Sequence, residues 1–308
     1  MKTVEIIIPM LNEFEVLDEL FRRLNLIKKE LTSKINLIFT IVDDGSSEEF
    51  NFVLKEKKKV EEFKLIILSK NYGHQIALRA GIDNSSSDAV LLLDGDLQDP
   101  PELLSEMLVG WEAGHDVVHG VRTERQKESV FKKVTANLFY RLIKNNSDVI
   151  ATRNSGDFKL LDKKIVAKLK QSNDSELYLR GAIEFFSSNP KYINYSRSER
   201  YAGDKKYSLR QSISLGLNGL VSFSDFFFNF LVYSLVFSAV FMIGVIVYVM
   251  SGIFGIEELI PGWASVMSML VIVNIVQTTA FLFVVVYLKK ILLQTSGRSK
   301  YLISNTFD

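Results

Sequence analysis

The sequence predicts an α/β fold with a Rossmann-like, mostly parallel sheet and helices on both faces, followed by two C-terminal transmembrane helices. Two observations lead to this prediction. Over residues 1–120, short β-rich runs alternate with amphipathic segments, an order typical of a parallel sheet. Residues 226–256 and 259–288 contain no charged side chain, and helices of soluble proteins rarely run that far without one.

The composition narrows the class of protein. The chain has 308 residues, enough for a large hydrophobic core, and a net charge of +1, so we expect no nucleic-acid partner. It has no cysteine, which excludes disulfides and thiolate metal sites. Residues 1–9 lack the long apolar run of a secretory signal peptide.

Each element of the predicted sheet follows from local periodicity. Apolar, β-branched runs predict four strands, and apolar residues at helical spacing predict three intervening helices. The strands are residues 4–9, 35–44, 64–69 and 89–94, and the helices are residues 13–31, 47–62 and 74–85.

Polar residues follow all four predicted strands. Helix capping explains about one such residue at each strand end, but not a polar, mostly acidic set at all four ends. Ligands of open α/β sheets bind beyond the carboxyl ends of the strands. The candidate binding residues are therefore Asn12, Glu13, Asp43, Asp44, Lys70, Asn71, Asp94 and Asp96.

Asp94 and Asp96 form the most informative pair, because they directly follow a buried strand and flank Gly95. In an extended backbone, side chains two residues apart point the same way. Two carboxylates in that arrangement suit Mg²⁺ or Mn²⁺, which can also bind phosphate oxygens. Asp99, which precedes two prolines, is interpreted instead as a helix N-cap.

The two apolar segments predict membrane spans. Residues 228–250 and 264–288 are each long enough to cross a bilayer; two buried core helices are the alternative. The connecting turn has two Glu and no Lys or Arg, whereas Lys and Arg are frequent before the first segment and after the second. The positive-inside rule then places both termini in the cytoplasm.

These features divide the chain into four parts. We expect a cytoplasmic catalytic domain over residues 1–206 and an amphipathic juxtamembrane helix over 207–225, with a core-packed helix as the alternative for the latter. Two transmembrane helices and a short outer turn occupy 226–290, and a cytoplasmic tail occupies 291–308.

Two basic stretches lie between the sheet and the predicted spans. Basic residues near a membrane attract anionic lipid, and Arg also recognises phosphate oxygens in a planar, two-point manner. The stretches contain Arg122, Arg125, Lys127, Lys132 and Lys133, and then Arg197, Arg200, Lys205, Lys206 and Arg210.

Several motifs together resemble a known family. IPMLNE (8–13), IVDDGSS (41–47), LSKNYGHQIALRAGI (68–82) and LLLDGDLQDPPEL (91–103) are similar to the GT-A fold of family 2 glycosyltransferases. GVRTER (120–125), NSGDFKLLD (154–162), RSERYAGDKKYSLRQ (197–211) and PGWAS (261–265) narrow the resemblance. They resemble polyprenyl-phosphate glycosyltransferases, relatives of dolichol-phosphate mannose synthase, and most of all the bacterial bactoprenol glucosyltransferases.

The resemblance implies roles for individual residues. It implies catalytic roles for Asp157 and Asp96 and a divalent metal, Mg²⁺ or Mn²⁺, bound by Asp94, Asp96 and Gln98. His74 departs from the Lys or Arg that such proteins usually have at its position. Implied nucleotide-sugar ligands are Pro9, Asn12, Glu13, Asp43, Asp44, Lys70, Asn71 and Asp94. Implied ligands of a lipid phosphate are Arg122, Arg125, Lys132, Lys133, Arg200, Lys205 and Lys206.

The implied reaction is transfer of glucose from UDP-glucose to undecaprenyl phosphate with inversion at the anomeric carbon. GDP-mannose, UDP-GlcNAc or an aminoarabinose nucleotide are alternative donors. A phosphate monoester is already largely anionic at neutral pH, so Asp157 is either a general base or a residue that positions the substrate. The chain lacks the QxxRW motif of processive synthases, which argues against polymer synthesis.

The implied setting is the bacterial inner membrane, with the catalytic domain in the cytoplasm. The implied partners are a nucleotide sugar, a polyprenyl phosphate, the membrane, and a downstream flippase and glycosyltransferase that modify cell-surface glycans such as O-antigen. The sequence is compatible with a homo-oligomer. A nucleotide-binding membrane scaffold is the non-enzymatic alternative. Neither predicted span has an ionisable residue, which argues against a cation transporter.

Overall fold

The computed structural model of the chain describes residues 1–123, 155–172, 179–196, most of 231–247, 262–295 and 299–307. Within these ranges the protein forms one eight-stranded sheet with helices packed on both of its faces. The predicted amphipathic helix 207–225 lies outside the described residues.

The elements follow one another along the chain in the alternating order that the sequence predicts for the first 100 residues. The strands are β1 (Lys2–Met10), β2 (Ile35–Asp43), β3 (Lys64–Leu68), β4 (Ala89–Leu92), β5 (Val117–Arg122), β6 (Ser155–Asp162), β7 (Pro190–Tyr195) and β8 (Ile303–Phe307). The helices are α1 (Leu17–Leu31), α2 (Glu48–Lys58), α3 (His74–Asn84), α4 (Leu104–Glu112), α5 (Lys163–Gln171), α6 (Leu179–Phe186) and α7 (Trp263–Thr295), with 3-10 turns at Phe14–Val16 and Pro101–Leu103.

The sheet contains both parallel and antiparallel strand pairings. Its order is β7-β5-β6-β4-β1-β2-β3-β8. The central strands β4, β1, β2 and β3 are parallel because a helix connects each to the next. β6 runs antiparallel to both β4 and β5, and β8 runs antiparallel to β3. At the outer edge, β7 pairs parallel with β5. Among the described strands, four of the seven pairings are parallel, as expected for a mostly parallel sheet, and the antiparallel strands β6 and β8 lie beyond the alternating segment.

The hydrophobic core has two layers, one on each face of the sheet. Ile6 and Ile8 of β1 contribute to the layer under α1, α2 and α4, whereas Ile7 contributes to the layer under α3, α5 and α6. Successive side chains of a strand point to opposite faces. A strand covered on both faces must be apolar at every position, which explains the continuous run Ile6–Ile8.

A tight turn brings the ends of β2 and β3 together. Gly45 has a φ of 69°, and a Cβ atom at this position would clash with the Lys70 and Asn71 backbone. Glycine permits both the left-handed conformation and the close approach. The segments that follow β2 and β3 therefore lie against each other at the carboxyl edge of the sheet.

The C-terminal residues belong to the same eight-stranded sheet. β8 pairs with β3, the Ser69 N–H donates to the Leu302 carbonyl at 2.9 Å, and the Tyr301 hydroxyl lies 3.2 Å from Asp83 Oδ2. Residues 299–307 of the predicted cytoplasmic tail therefore pack on this sheet. Since β3 is otherwise an edge strand, β8 satisfies backbone groups that would face solvent.

The helix α7 is 33 residues long and exposes large apolar side chains, among them Leu270, Ile275, Phe281 and Leu288. No helix in the described part of the chain meets the combined length and hydropathy of a membrane span. The two predicted transmembrane helices stay a prediction.

A buried charged cluster lies between β5, β6 and α6. Lys159 and Glu184 form an ion pair at 3.2 Å, and His119 Nδ1 lies 3.5 Å from Glu184 Oε1 while its ring stacks on Tyr192. Burial, together with the positive charge of Lys159, lowers the pKa of His119 to about 3 against only a weak opposing effect of Asp116. His119 is therefore neutral at physiological pH.

This pKa predicts an acid-sensitive fold. The pKa of His119 is lower in the native state than its ordinary value of 6.5, so the native state binds fewer protons than the unfolded state. The contribution of His119 to the free energy of unfolding is complete above pH 6.5. It is lost as the pH falls toward 3, by up to about 1.4 kcal/mol per pH unit. The thermal unfolding midpoint of the wild type should decrease as the pH is lowered from 6.5 to 5. His119→Phe should reduce this dependence of the midpoint on pH. His115→Phe is the control, and an unchanged slope in His119→Phe would contradict the assignment.

The turn at Gly45 gives a second prediction with a matched control. Gly45 and Gly114 both have positive φ, but a Cβ atom on Gly114 would have no neighbour within 4 Å. Gly114→Ala should cost only the left-handed backbone penalty of about 1–2 kcal/mol. Gly45→Ala should lower the thermal unfolding midpoint further, because the β3 end must also move. Equal shifts for the two variants would show that this close approach does not constrain the fold.

Candidate active site

A cleft opens at the carboxyl edge of the central parallel strands. Its walls come from the segments after β1, β2, β3 and β4, together with β6 and α6. The lining residues are Pro9, Met10, Leu11, Glu13, Asp44, Asn71, Gly73, His74, Asp94, Gly95, Asp96, Asp157 and Arg180. Several of the polar residues that follow the predicted strands therefore line this cleft.

The carboxylate of Asp157 lies at the centre of the polar contacts. Arg180 donates to it through Nε and Nη2, both at 2.7 Å, and Gln75 Nε2 donates to Oδ2 at 3.0 Å. His74 Nε2 lies 3.3 Å from the same oxygen. Burial alone would raise the pKa of Asp157, but Arg180 and His74 outweigh it and hold the pKa well below the ordinary 3.8. Asp157 is therefore an ionised carboxylate that is a weak base.

His74 bridges two carboxylates. Its Nε2 lies 3.1 Å from Asp94 Oδ1 as well as 3.3 Å from Asp157 Oδ2. Burial by itself would lower the pKa of His74, but the two negative neighbours raise it well above 6.5. A charged imidazole compensates the repulsion between the two carboxylates.

His74, Asp94 and Asp157 also form a candidate metal group. One donor atom from each lies within 4.8 Å of the others. The predicted metal ligands were Asp94, Asp96 and Gln98. Asp94 belongs to this group and Asp96 lines the same cleft, but Gln98 is absent from the lining residues.

The premise that Asp94 and Asp96 continue an extended strand is wrong. β4 ends at Leu92, and the following turn includes Leu97 with a φ of 57°. Asp94 faces His74, whereas Asp96 Oδ1 accepts the Gln98 backbone N–H at 3.1 Å. A Cβ atom on the intervening Gly95 would lie 2.6 Å from Glu13 Oε2. The close approach that glycine permits here is to Glu13.

The segments after β1, β2 and β3 are held together by side-chain-to-backbone bonds. Asp44 accepts the N–H groups of Tyr72 and Gly73 at 2.8 and 2.9 Å, and Asn12 Oδ1 accepts the Ser47 N–H at 2.9 Å. Burial raises the pKa of Asp44, partly offset by those two N–H donors. Asp44 and Asn12 therefore hold together the segments that form one side of the cleft.

The other predicted nucleotide ligands lie nearby. Burial also raises the pKa of Asp43, whose Oδ2 accepts the Ser46 N–H at 3.2 Å. Lys70 Nζ lies 5.2 Å from the centre of the Tyr72 ring. Pro9, Glu13 and Asn71 line the cleft directly, whereas Lys70 and Asp43 are not among its lining residues.

Asp99 is not the N-cap that the sequence predicts. The 3-10 turn that starts at Pro101 is capped by Pro100 without a side-chain bond. Asp99 is fully buried and accepts from the Tyr195 hydroxyl and from Arg122 Nη2. The pairing was invisible in the sequence because Tyr195 is 96 residues away.

Arg122, predicted to bind a lipid phosphate, is engaged with Asp99 and Tyr195 and lies over Gly156. Burial would lower the pKa of Arg122, but Asp99 raises it above its ordinary value, so it stays charged. The other predicted phosphate ligands lie outside the described residues: Arg125, Lys132, Lys133, Arg200, Lys205 and Lys206.

Sequence reasoning missed two residues that contact Asp157. Gln75 follows His74 at the start of α3, and Arg180 is a single cation within the apolar segment that forms α6. A charged residue within a largely apolar helical segment indicates a buried partner, and this signal could have identified Arg180. Its partner could not be inferred because it depends on how α6 packs on β6.

Comparison with known proteins identifies a family and several relatives of this chain. The model of Glycosyl transferase family 2 matches residues 5–170. The uncharacterized glycosyltransferase YkcC of Bacillus subtilis is 37% identical over 220 residues, which cover 71% of this chain and 68% of YkcC.

Two further relatives extend the similarity to nearly the whole chain. The uncharacterized glycosyltransferase sll0501 of Synechocystis is 30% identical, with 98% of this chain and 95% of the relative covered. The bactoprenol glucosyl transferase of Shigella phage SfV is 27% identical, with 98% of each chain covered. The sheet has the mixed α/β arrangement of the GT-A fold. This chain is a glycosyltransferase and belongs to glycosyl transferase family 2.

Proposed function

We propose that the enzyme transfers glucose from UDP-glucose to the phosphate of undecaprenyl phosphate. The convergence of Asp94, Asp157, His74 and Arg180 in one cleft at the carboxyl edge of the sheet carries this proposal. The cleft adjoins the segments tied together by Asp44, where a nucleotide would lie. The full-length similarity to a bactoprenol glucosyl transferase supports the choice of acceptor and sugar.

The donor is proposed to bind along the segments after the parallel strands. Glu13, Asp43 and Asp44 carry carboxylate oxygens that can accept from ribose hydroxyls and base N–H groups. The Gly73 turn and the start of α3 lie beside them, and a helix N-terminus favours an anionic diphosphate. The nucleotide and the sugar would then lie on opposite sides of Asp94.

A divalent cation fits the site. The donors that converge are two carboxylate oxygens and one imidazole nitrogen, a set that suits Mn²⁺ or Mg²⁺. Asp94 would hold the ion, with Asp96 in the same cleft, and His74 would join them on giving up its proton, since only a neutral imidazole nitrogen binds a cation. Bound there, it would offset the negative charge that develops on a departing diphosphate.

The proposed step is a single displacement. A phosphate oxygen of the acceptor forms a bond to the anomeric carbon while the bond from that carbon to the diphosphate breaks, and the configuration inverts. The attacking oxygen is already anionic, so no proton has to be removed. Asp157 is a weak base whose oxygens accept N–H groups, which favours positioning over general base catalysis.

Location at the bacterial inner membrane, with the catalytic sheet in the cytoplasm, is part of the proposal. A polyprenol tail stays in the lipid, so the enzyme must meet its acceptor at the bilayer surface. The large apolar side chains exposed along α7 support membrane contact. The two predicted spans would provide the attachment, and the basic stretches beyond β5 and β7 would bind the lipid phosphate.

The direct test is incorporation of label into lipid. Membranes that contain the full-length chain should transfer radiolabel from UDP-glucose to undecaprenyl phosphate, and the product should partition into organic solvent. GDP-mannose, UDP-GlcNAc and an aminoarabinose nucleotide are parallel donors. If one of these donors labels the lipid and UDP-glucose does not, the proposed sugar is wrong and that donor replaces it. An absence of lipid label from all four donors would refute the lipid acceptor.

The proposed metal site predicts different transfer activities for a variant in the cleft and for a control variant on the surface. Asp94→Ala should reduce transfer by at least about 100-fold, and EDTA should abolish transfer until Mn²⁺ or Mg²⁺ is restored. Asp18→Ala, which removes an exposed carboxylate of α1, should transfer at the wild-type rate. Activity that survives both Asp94→Ala and EDTA would exclude a metal role.

The role of Asp157 predicts a specific pH profile. Asp157→Asn keeps the shape of the side chain but removes the charge that Arg180 faces, so kcat should fall by about 100-fold. Because the pKa of Asp157 is held well below 3.8, the carboxylate should not cause kcat of the wild type to vary between pH 6 and 8. Full turnover of Asp157→Asn at neutral pH would exclude both the base and the positioning role.

A further inference from the structure

Two ion pairs join helix α6 to strand β6 side by side. Arg180 and Glu184 are four residues apart on α6, so they share one helix face. Asp157 and Lys159 are two residues apart on β6, so they share one strand face. Arg180 binds Asp157 through two bonds of 2.7 Å, and Glu184 Oε1 lies 3.2 Å from Lys159 Nζ.

The two pairs differ in burial. The side chains of Lys159 and Glu184 are 1% and 9% exposed, whereas Arg180 is 36% exposed and lines the cleft. Asp157, with a side chain that is 4% exposed, is as buried as the Lys159–Glu184 pair although its partner Arg180 reaches the cleft. The inner pair is therefore remote from solvent, and the outer pair reaches the place where substrates would bind.

The pattern of charges specifies one packing position for α6. A shift of the helix by one turn along β6 would place Arg180 near Lys159 or Glu184 near Asp157, which are like-charged combinations. Buried like charges destabilise the fold, and so does a buried charge without a partner. The inner pair thus holds the helix in the position that delivers Arg180 to Asp157.

We propose that Arg180 is a positioning residue that acts through Asp157, and that the Lys159–Glu184 pair anchors it. This inference rests on the proposed function, because it assigns a task to the carboxylate of the same site. Two N–H groups of the planar Arg180 guanidinium bind the two oxygens of Asp157 and so fix the orientation of its carboxylate. Gln75 and His74 complete the orientation from α3.

The alternative is that Arg180 binds a substrate phosphate directly. The two roles make different kinetic predictions. A residue that acts only through Asp157 loses its effect once Asp157 is neutral, whereas a direct ligand of donor or acceptor contributes independently of Asp157. A double-mutant cycle separates these cases.

The experiment compares Arg180→Met, Asp157→Asn and the double variant in the full chain. Arg180→Met should lower kcat by about 10- to 100-fold with KM for the nucleotide sugar unchanged, and Arg180→Lys should recover part of the loss. The kcat of the double variant should equal that of Asp157→Asn within about twofold. The control is Arg22→Met, which removes an exposed Arg–Glu pair of α1. A double variant that loses the product of both factors, or a raised KM in Arg180→Met, would overturn the positioning role.

The anchor is tested by stability, so its outcome does not depend on the reaction. Lys159→Glu and Glu184→Lys should each lower the thermal unfolding midpoint by at least about 5 °C. The charge-swapped double variant should regain most of that loss. If the double variant is no more stable than the single ones, the anchor is refuted even in an active enzyme. If no nucleotide sugar labels lipid while the swap restores stability, the proposed acceptor fails and the anchor stands.

Discussion

Repulsion between Asp94 and Asp157 is the constraint on which the rest of the site depends. Each carboxylate is close to His74 Nε2, at 3.1 and 3.3 Å, and Asp157 is also bound by Arg180. Without those cations the two negative charges could not lie together in a half-buried cleft. The positive charges of His74 and Arg180 therefore stabilise the folded site.

The architecture supplies this arrangement from distant parts of the chain. His74 begins α3, Asp94 follows β4, Asp157 lies on β6 and Arg180 lies on α6. β6 enters the sheet antiparallel to β4 and so brings Asp157 next to the carboxyl end of a parallel strand. The mixed sheet is therefore more than a departure from a parallel pattern, because the antiparallel strand completes the site.

Local sequence signals were reliable where the chain alternates regularly. The four predicted strands correspond to β1 to β4, and five of the eight polar residues that follow them line one cleft. The signals failed where a contact joins distant segments: Asp99 appeared to be a helix cap, and the partners of Arg180 and Tyr195 could not be read from spacing. An extended backbone through Asp96 was also wrong, since β4 stops at Leu92.

The sequence by itself determined the alternation of strands and helices, the residues that would meet at the strand ends, and the family. Each of these depends on periodicity or on residues close together in the chain. Only the tertiary structure decided which carboxylates share a cation and which helix holds them, because opposite charges separated by 23 residues (Asp157 and Arg180) meet only after β6 and α6 have packed. It also decided that the last strand, β8, belongs to the sheet, since a strand needs a partner edge that the sequence does not specify.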